Sequence, residues 1–376
     1  MALSQAFLDE LKARTTLSAL VGRAVKLQRA GREMKGCCPF HQEKTASFHV
    51  NDDKGFAHCF GCSWHGDAIR WLTEHDGLDF IDAVKQLADA AGMEVPARSA
   101  EDARRDVARE AAGSVLERAA AWYARQLAAS PKAGELLAAR GIGAAAIARF
   151  GIGFAPRDAS VAGCGVAPGE LEAAGLLIAG RGNEAGLWRD RFRQRLMIPI
   201  HDARGRLAGF AARAAHAGIE PKYLNSPESD HFAKGSLLFN LHRAAPAARA
   251  AKRLVVVEGQ IDCIALDQAG IGEAVAPMGT ALTDRQLERA WRVHECPVLL
   301  LDGDAAGRAA ALRACQRALP MVGPYGRSLA VAMLPEGDDP DSLVRRGGRE
   351  AIEAVLAEAR PMSDWVFDAL LGEMAA

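Results

Sequence analysis

Leu254-Val-Val-Val-Glu-Gly-Gln-Ile-Asp262 is the stretch on which the fold turns, and Val298-Leu-Leu-Leu-Asp-Gly-Asp304 answers it. Each is a short apolar run that stops abruptly at acid and glycine. A run of Val or Leu without polar alternation describes a strand covered on both faces, as the parallel strands of an α/β sheet are. A third run, Leu329 to Met333, leads into Pro335-Glu-Gly-Asp-Asp-Pro-Asp341. Parallel strands bring their carboxyl ends to one sheet edge, where open α/β folds bind ligands. Glu258, Asp302, Asp304, Asp339 and Asp341 are therefore expected to converge. Carboxylates that crowd together repel one another and retain protons unless cations sit among them. Oxygen donors of this kind suit Mg²⁺ or Mn²⁺. Asp and Gly also end strands as plain turn residues, but three acid-terminated strands in succession favour the metal reading. Asp262 lies four residues beyond Glu258 on the helix that follows, so it can sit over the same site.

Towards the N-terminus the chemistry changes. Cys38-x2-His41 and Cys59-x2-Cys62, seventeen residues apart, supply four soft or borderline ligands in two knuckles. That is the donor set of a closed, tetrahedral structural zinc site. Cys37 competes with Cys38, and His49, His58 and His65 compete with His41; spacing favours the first-named four. Ser47–Val50 and Gly55–Cys59 read as strands joined by a turn at Asn51–Gly55, which makes a zinc ribbon. Lys44, Phe48, Lys54, Phe56, Phe60 and Trp64 interleave basic and aromatic side chains, a composition suited to stacking single-stranded bases. The competing reading is that Phe48 and Phe56 simply pack the ribbon's apolar face. Phe7, Leu8, Leu11, Leu17, Leu20 and Val21 have helical spacing and predict a helical brace before the ribbon.

At 376 residues the chain is long enough for two or three domains. Its formal charge of −1 means that any nucleic-acid contact must rest on local charge. Between Arg181 and Arg253 there are fourteen Lys or Arg against six Asp or Glu, and Arg189-Asp-Arg-Phe-Arg-Gln-Arg195 alternates basic residues at the period of a strand. That stretch is the expected nucleic-acid and triphosphate surface. Eight cysteines without a regular disulfide framework suit a reducing cytosol. With no signal-peptide pattern and no apolar run of membrane length, no membrane partner is expected. Residues 96–110, polar and charged, read as a linker between a domain at 1–95 and a core. Within that core, boundaries are expected at 111–251, 252–335 and 336–376.

Several motifs, in order, carry a family resemblance. Cys38-Pro-Phe-His-Gln-Glu-Lys-Thr45 with Cys59-Phe-Gly-Cys-Ser-Trp-His-Gly-Asp67 resembles the zinc-binding domain of bacterial replicative DNA primases, and the likeness continues through Phe80, Ala83, Val84 and Leu87. Leu196-Met-Ile-Pro-Ile-His-Asp-Ala-Arg-Gly-Arg-Leu-Ala-Gly-Phe-Ala-Ala-Arg213, Pro221-Lys-Tyr-Leu-Asn-Ser-Pro-Glu228 and Lys234-Gly235 resemble the RNA-polymerase core of the same family. Glu258-Gly259 followed by Asp302-Gly-Asp304 resembles the topoisomerase-primase (toprim) motif. The resemblance implies an α+β multidomain protein: a zinc ribbon, then a core with an α/β toprim subdomain around a mostly parallel sheet, then a short helical segment. It implies a DNA-directed RNA polymerase that makes short RNA primers from NTPs on single-stranded DNA. One structural Zn²⁺ and about two catalytic Mg²⁺ or Mn²⁺ would serve it, the latter on Glu258, Asp302 and Asp304, with Asp262, Asp339 and Asp341 as further ligands or support. Arg213, Lys222 and Lys234 would lie along the template and nucleotide path, with Asn225 beside them and Arg149 as a weaker member. The implied location is the cytoplasm, at replication forks on the nucleoid.

Two features depart from the family. Gln260 stands where an aromatic residue is usual. After Asp341-Ser-Leu-Val only two helices' worth of sequence follows, through Trp365, Val366, Leu370 and Leu371. The family's C-terminal domain that docks a replicative helicase is thus expected to be absent from this chain, which favours a stand-alone or mobile-element primase over one coupled to a helicase in the usual way. Other classes compete: a non-catalytic zinc/toprim accessory factor that binds single-stranded DNA, and a different toprim enzyme. A topoisomerase would need a nucleophilic tyrosine, and Tyr123, Tyr223 and Tyr325 lack supporting context. No Walker Gly-x4-Gly-Lys-Ser/Thr occurs, which argues against an ATPase-linked enzyme.

Overall fold

The computed structural model describes residues 3–62, 64–96, 100–180, 186–229, 232–279, 281–322 and 327–375. Two compact units emerge, Met1–Arg104 and Arg105–Ala376.

The first unit begins with helices α1 (Gln5–Arg14) and α2 (Leu17–Val21), the brace expected from the spacing. Strands β1 (Gln28–Ala30), β2 (Glu33–Gly36), β3 (Phe48–Asn51), β4 (Phe56–Cys59) and β5 (His65–Gly66) form one antiparallel sheet in chain order. Two of these strands were legible in the sequence. The first two are too short and polar to alternate visibly. Helices α3 (Ala68–Glu74) and α4 (Phe80–Ala91) complete the unit. Period-two geometry sorts the side chains: Phe48, Val50, Ala57 and Cys59 are buried with Trp71, Leu72, Val84 and Leu87, while His49, Asn51, Phe56 and His58 face outward. The expected stacking set therefore divides. Phe48 is core, and Trp64 stacks on Phe40 at 4.4 Å against that same core. Phe60, 71% exposed, remains outward, as do half-buried Phe56 and exposed Lys44 and Lys54.

The linker expected at 96–110 is helical from Ala100, because α5 (Ala100–Ala128) begins there. Its Ala, Glu and Arg are strong helix formers.

The second unit continues with α6 (Pro131–Ala138), α7 (Ala144–Phe150), β6 (Gly153–Ala155), α8 (Pro168–Ala173), β7 (Leu177–Ala179), β8 (Trp188–Asp190), β9 (Arg195–His201), β10 (Leu207–Ala214) and β11 (Tyr223–Asn225). Next come β12 (Leu238–Phe239), α9 (Leu241–Ala251), β13 (Val255–Val256), α10 (Gln260–Gln268), β14 (Ala274–Pro277), α11 (Asp284–Trp291), β15 (Val298–Leu301) and α12 (Ala305–Ala318). The last elements are β16 (Ala330–Met333), α13 (Pro340–Ala357), β17 (Arg360–Pro361) and α14 (Met362–Ala375). An antiparallel sheet ordered β11-β10-β9-β6 stands beside a six-stranded sheet ordered β12-β14-β13-β15-β16-β17. The four central strands of the latter are parallel and its two edge strands antiparallel. Val255, Val257 and Leu300 enter one core while Leu254, Val256, Leu299 and Leu301 enter the other. This two-sided burial explains the unbroken apolar runs. Ile198 and Ile200 of β9 share the first of these cores, which couples the two sheets.

The basic run Arg189–Arg195 does not lie along one strand. It spans the end of β8, an irregular turn and the start of β9, so its period-two face never forms. Much of the surrounding positive charge is structural: Arg195 donates to the Pro221 carbonyl at 2.7 Å, Arg206 pairs with Asp202 at 2.6 Å, and Arg253 bridges Glu273 and Glu353 at 2.6 Å each.

Two glycines hold the acidic edge together. A Cβ on Gly303 would run into the Leu334 and Pro335 carbonyls, and one on Gly307 into the Asp302 carbonyl. The obstructing atoms are backbone and cannot rotate away. Gly303→Ala is expected to cost about 2–4 kcal/mol, read as a fall in the midpoint of denaturant unfolding.

Candidate active site and metal centre

Cys38, His41, Cys59 and Cys62 bring their ligand atoms within 4.8 Å of one another, the one such group of three or more metal-binding side chains among the described residues. Cys38 Sγ and Cys62 Sγ stand 3.7 Å apart; the edge of a tetrahedron with 2.3 Å zinc–sulfur bonds is about 3.8 Å. The spacing of the donors therefore fits zinc. His41 turns Nδ1 toward Cys59 Sγ at 3.7 Å and Nε2 toward Glu43 at 3.3 Å. A carboxylate on the far nitrogen is the usual means of orienting a ligating imidazole. Backbone N–H groups of Phe40, Gly61 and Cys62 approach the Cys38 and Cys59 sulfurs at 3.3–3.5 Å. The competitors are placed elsewhere: Cys37 is exposed, His49 pairs with Glu33 at 3.0 Å, and His58 and His65 face each other on the outer side of the sheet.

In the second unit, strand ends and helix starts converge on a pocket of about 1270 Å³. Glu258 follows β13, Asp302 follows β15, Asp262 lies in the first turn of α10, and Asp339 and Asp341 open α13; all five line the pocket. Asp304 is not part of the lining and caps α12 by accepting the Gly307 N–H at 2.8 Å. Burial, then the neighbouring charges of Glu258, Asp339 and Asp304, push the Asp302 carboxyl up to about 6. Burial and the charges of Asp339 and Asp302 push Asp262 up to about 7, although it accepts the Gly259 N–H. Such a cluster has the chemistry of a divalent-cation site: a bound cation would replace the proton as the neutralising charge.

Opposing cations come from the antiparallel sheet. The β10–β11 register places Arg213 across from Tyr223, and the Arg213 and Lys222 head groups each lie 5.6 Å from the Tyr223 ring centre. Asn225 donates to the Met278 carbonyl at 3.1 Å and so ties this sheet to the loop after β14. Arg213, Lys222 and Asn225 all line the pocket. Arg149 and Lys234 do not. Arg149, in the last turn of α7, points to Asp267 at 3.3 Å. Lys234 sits in a short helical turn whose backbone bonds to Glu228 and Gln286. Sequence reasoning missed Arg140, Arg313, Arg317 and Arg345, which also line the pocket. Only the folded chain brings them in. Gln260 reaches Met278 Sδ at 3.9 Å and displaces no acid. Tyr123 is buried in the core, Tyr223 is taken up with the two cations, and Tyr325 lies outside the described residues.

Residues 3–103 match the CHC2 zinc finger model, residues 122–245 the N-terminal domain of the DNA primase catalytic core, and residues 252–323 the Toprim domain. The solved structure of the Aquifex aeolicus primase, comprising its zinc-binding and RNA polymerase domains, is 30% identical with a TM-score of 0.61, covering 96% of this chain and 86% of that one. The chain belongs to the DNA primase family. The DNA primase of Escherichia coli K12 is 41% identical over 98% of this chain, and that of Pasteurella multocida 39% identical over 97%. The chain spans 64% and 63% of the length of these two primases. The DnaG primase catalytic domain solved bound to ssDNA is 39% identical with a TM-score of 0.64, covering 71% of this chain and 87% of that one. The three primase matches thus follow one another along the chain in the order in which the motifs were read.

The raised carboxyl of Asp262 has a consequence for stability. An unfolded Asp releases its proton near 3.8, whereas the folded one holds it to about 7. The stability that this difference contributes is full below the lower value and is lost as pH rises toward the upper one. Asp262→Asn is therefore expected to raise Tm in Mg²⁺-free buffer by about 2–6 °C at pH 8, with a smaller gain at pH 5. Scanning calorimetry of the pair at both pH values checks the sign.

Proposed function

We propose that this chain is a DNA primase, a DNA-directed RNA polymerase that starts short RNA chains on a single-stranded DNA template. The observation that carries the reading is one pocket lined both by Glu258, Asp262, Asp302, Asp339 and Asp341 and by Arg213, Lys222 and Asn225. Nucleotidyl transfer needs both: a 3′-hydroxyl made nucleophilic, and a triphosphate whose charge is neutralised as pyrophosphate leaves.

Glu258, Asp302 and Asp304 would hold two Mg²⁺ or Mn²⁺ ions, with Asp262, Asp339 and Asp341 as further ligands or support. When bound, these ions lower the pKa of the attacking hydroxyl and stabilise the departing phosphate oxygens. Arg213 and Lys222, held side by side against Tyr223, present positive charge to phosphate before the reaction begins, which is the preorganised part of the catalysis. Asn225, anchored to the Met278 carbonyl, keeps that wall at a set distance from the acidic edge. Cys38, His41, Cys59 and Cys62 would hold one structural Zn²⁺. The outward face of the ribbon, which carries Phe60, Phe56 and Lys54, is suited to stacking and charge contact with a single strand. The reactants are NTPs and the product an RNA primer for replication, whether of a chromosome or a mobile element. Among the described residues no helix is long and apolar enough to cross a membrane, and the cytoplasm, at nucleoid replication forks, is the proposed place of action.

De novo synthesis on a mixed-sequence single-stranded template, with labelled NTPs and Mg²⁺ or Mn²⁺, tests the reading. Glu258→Gln is expected to lower the rate by about 10²-fold or more with single-stranded DNA binding retained. Cys59→Ser is expected to lose zinc by elemental analysis and to lose initiation more than elongation. Folded wild type that binds single-stranded DNA and makes no RNA would instead favour a non-catalytic accessory factor.

A further inference from the structure

We propose that the arginine face of α11, outside the acidic pocket, grips the phosphate backbone of the single-stranded DNA template. The inference deepens, and rests on, the template-binding part of the polymerase reading. Arg285, Arg289 and Arg292 recur along α11 and its C-terminal cap at i, i+4 and i+7. At 3.6 residues per turn they fall within an arc of about 60° and spread over about 10 Å of helix axis. Gln286, Leu287, Ala290 and Trp291 take the buried side. Arg285 and Arg292 are exposed and Arg289 is half-buried. Glu288 lies at the edge of this face, and Asp284, at its start, is taken by Arg317 at 3.1 Å. None of the three arginines lines the pocket. The start of α11 is nonetheless fixed beside it. The Thr283 hydroxyl donates to the Gly235 carbonyl at 2.5 Å, and Gln286 donates to the Lys234 and Leu237 carbonyls at 3.0 and 2.7 Å. Asp284 belongs to the pocket lining, so the arginine face leads away from the pocket's rim.

Folding does not neutralise this face. Among the described residues none of the three guanidiniums has a carboxylate within ion-pair reach or a hydrogen-bond acceptor. Burial, then the like charge of Arg292, lowers the Arg289 guanidinium from its ordinary value; Arg285 adds to this and Asp202 opposes it. Asp202, in the turn after β9, is already occupied. It accepts Arg206 Nε and Nη2 at 2.8 and 2.6 Å, and the Arg204 and Arg206 N–H groups at 2.9 and 3.0 Å. An anion lying across the three arginines relieves their repulsion. One phosphate engages one or two guanidiniums, whereas three spread along a helix suit successive phosphates of one strand. A protein partner fits worse, because the centres of protein interfaces are apolar and aromatic, and none of the exposed large apolar residues lies on α11. The same lack of aromatic side chains leaves nothing to stack on bases, so the contact is to backbone and independent of sequence. Of the nucleic-acid strands in the proposed reaction, only the template is present before the first bond forms.

The test measures binding of the full chain to a fluorescent mixed-sequence DNA oligonucleotide, without nucleotide or divalent metal, over a series of salt concentrations. Arg285→Gln, Arg289→Gln and Arg292→Gln combined are expected to weaken binding about tenfold or more at low salt. The slope of log K against log salt should flatten by about 2, since each phosphate contact on a single strand contributes roughly 0.7. Arg285→Gln with Arg292→Gln, both exposed, repeats the test without touching half-buried Arg289 and should give about two-thirds of that change in slope. Arg157→Gln is the control. Arg157 is exposed and follows β6, whose Ala155 pairs with Arg195 at the start of β9, the opposite end of that strand from Asp202. Its removal should change neither affinity nor slope by a comparable amount. Unchanged affinity and slope in the triple variant would overturn the proposal, as would an equal loss per charge in Arg157→Gln, which would reduce the effect to net charge. A loss seen with an RNA–DNA hybrid and not with the single strand would overturn the assignment to the template. Because binding is read without synthesis, a wild type that binds DNA and makes no RNA would sink the polymerase reading while these measurements still decide the role of α11.

Discussion

Negative charge gathered at the carboxyl edge of a parallel sheet is the constraint on which the rest of the second unit depends. Asp262 and Asp302 hold their protons far above the ordinary carboxylate range because burial and neighbouring acids act in the same direction. A fold dominated by stability would place apolar or paired groups there. The surroundings instead keep the acids close: Gly303 and Gly307 let the backbone of the Asp302–Asp304 turn pack against neighbouring carbonyls, and Asp304 and Asp339 are fastened as helix caps. The strain is electrostatic, and divalent cations are its natural relief.

That arrangement needs a rigid platform. β13 and β15 bury successive side chains alternately in two different cores, so neither strand can slide without exposing a whole set to water. The first core also takes residues from β9, and the Asn225–Met278 bond spans the same junction. Basic and acidic side chains of the pocket are therefore positioned by shared packing as well as by attraction such as the Arg345–Asp341 pair at 3.3 Å. The zinc ribbon solves a smaller version of the problem: its sheet has one packed face, and four ligands within 4.8 Å let a metal close the side that its small core leaves open.

What was legible in the sequence were the features whose chemistry is local. Two knuckles of fixed spacing identify the four side chains that the fold gathers within 4.8 Å, and apolar runs ended by acids identify the strands and the acidic edge, because ligand reach and two-sided burial leave direct traces in residue order. Charge runs proved weaker guides. The Arg189–Arg195 alternation falls across a turn, and Arg195, Arg206 and Arg253 are taken up by internal partners. Aromatic content was ambiguous for a similar reason: Phe48 and Trp64 carry the composition of a stacking surface but pack inside.

By itself the sequence determined the buried parallel strands, the four side chains gathered in two knuckles and the acids that can meet at a sheet edge, since each follows from periodicity or spacing within a short window. Only the tertiary structure decided which cations face those acids. Arg140 and Arg345 enter the pocket, whereas Arg149 and Lys234 stay outside its lining. The physical reason is that a cation's partner is set by packing between segments distant in the chain, here Gln268 on Gly141 and Arg345 on Ala139, and no local pattern encodes such a distance.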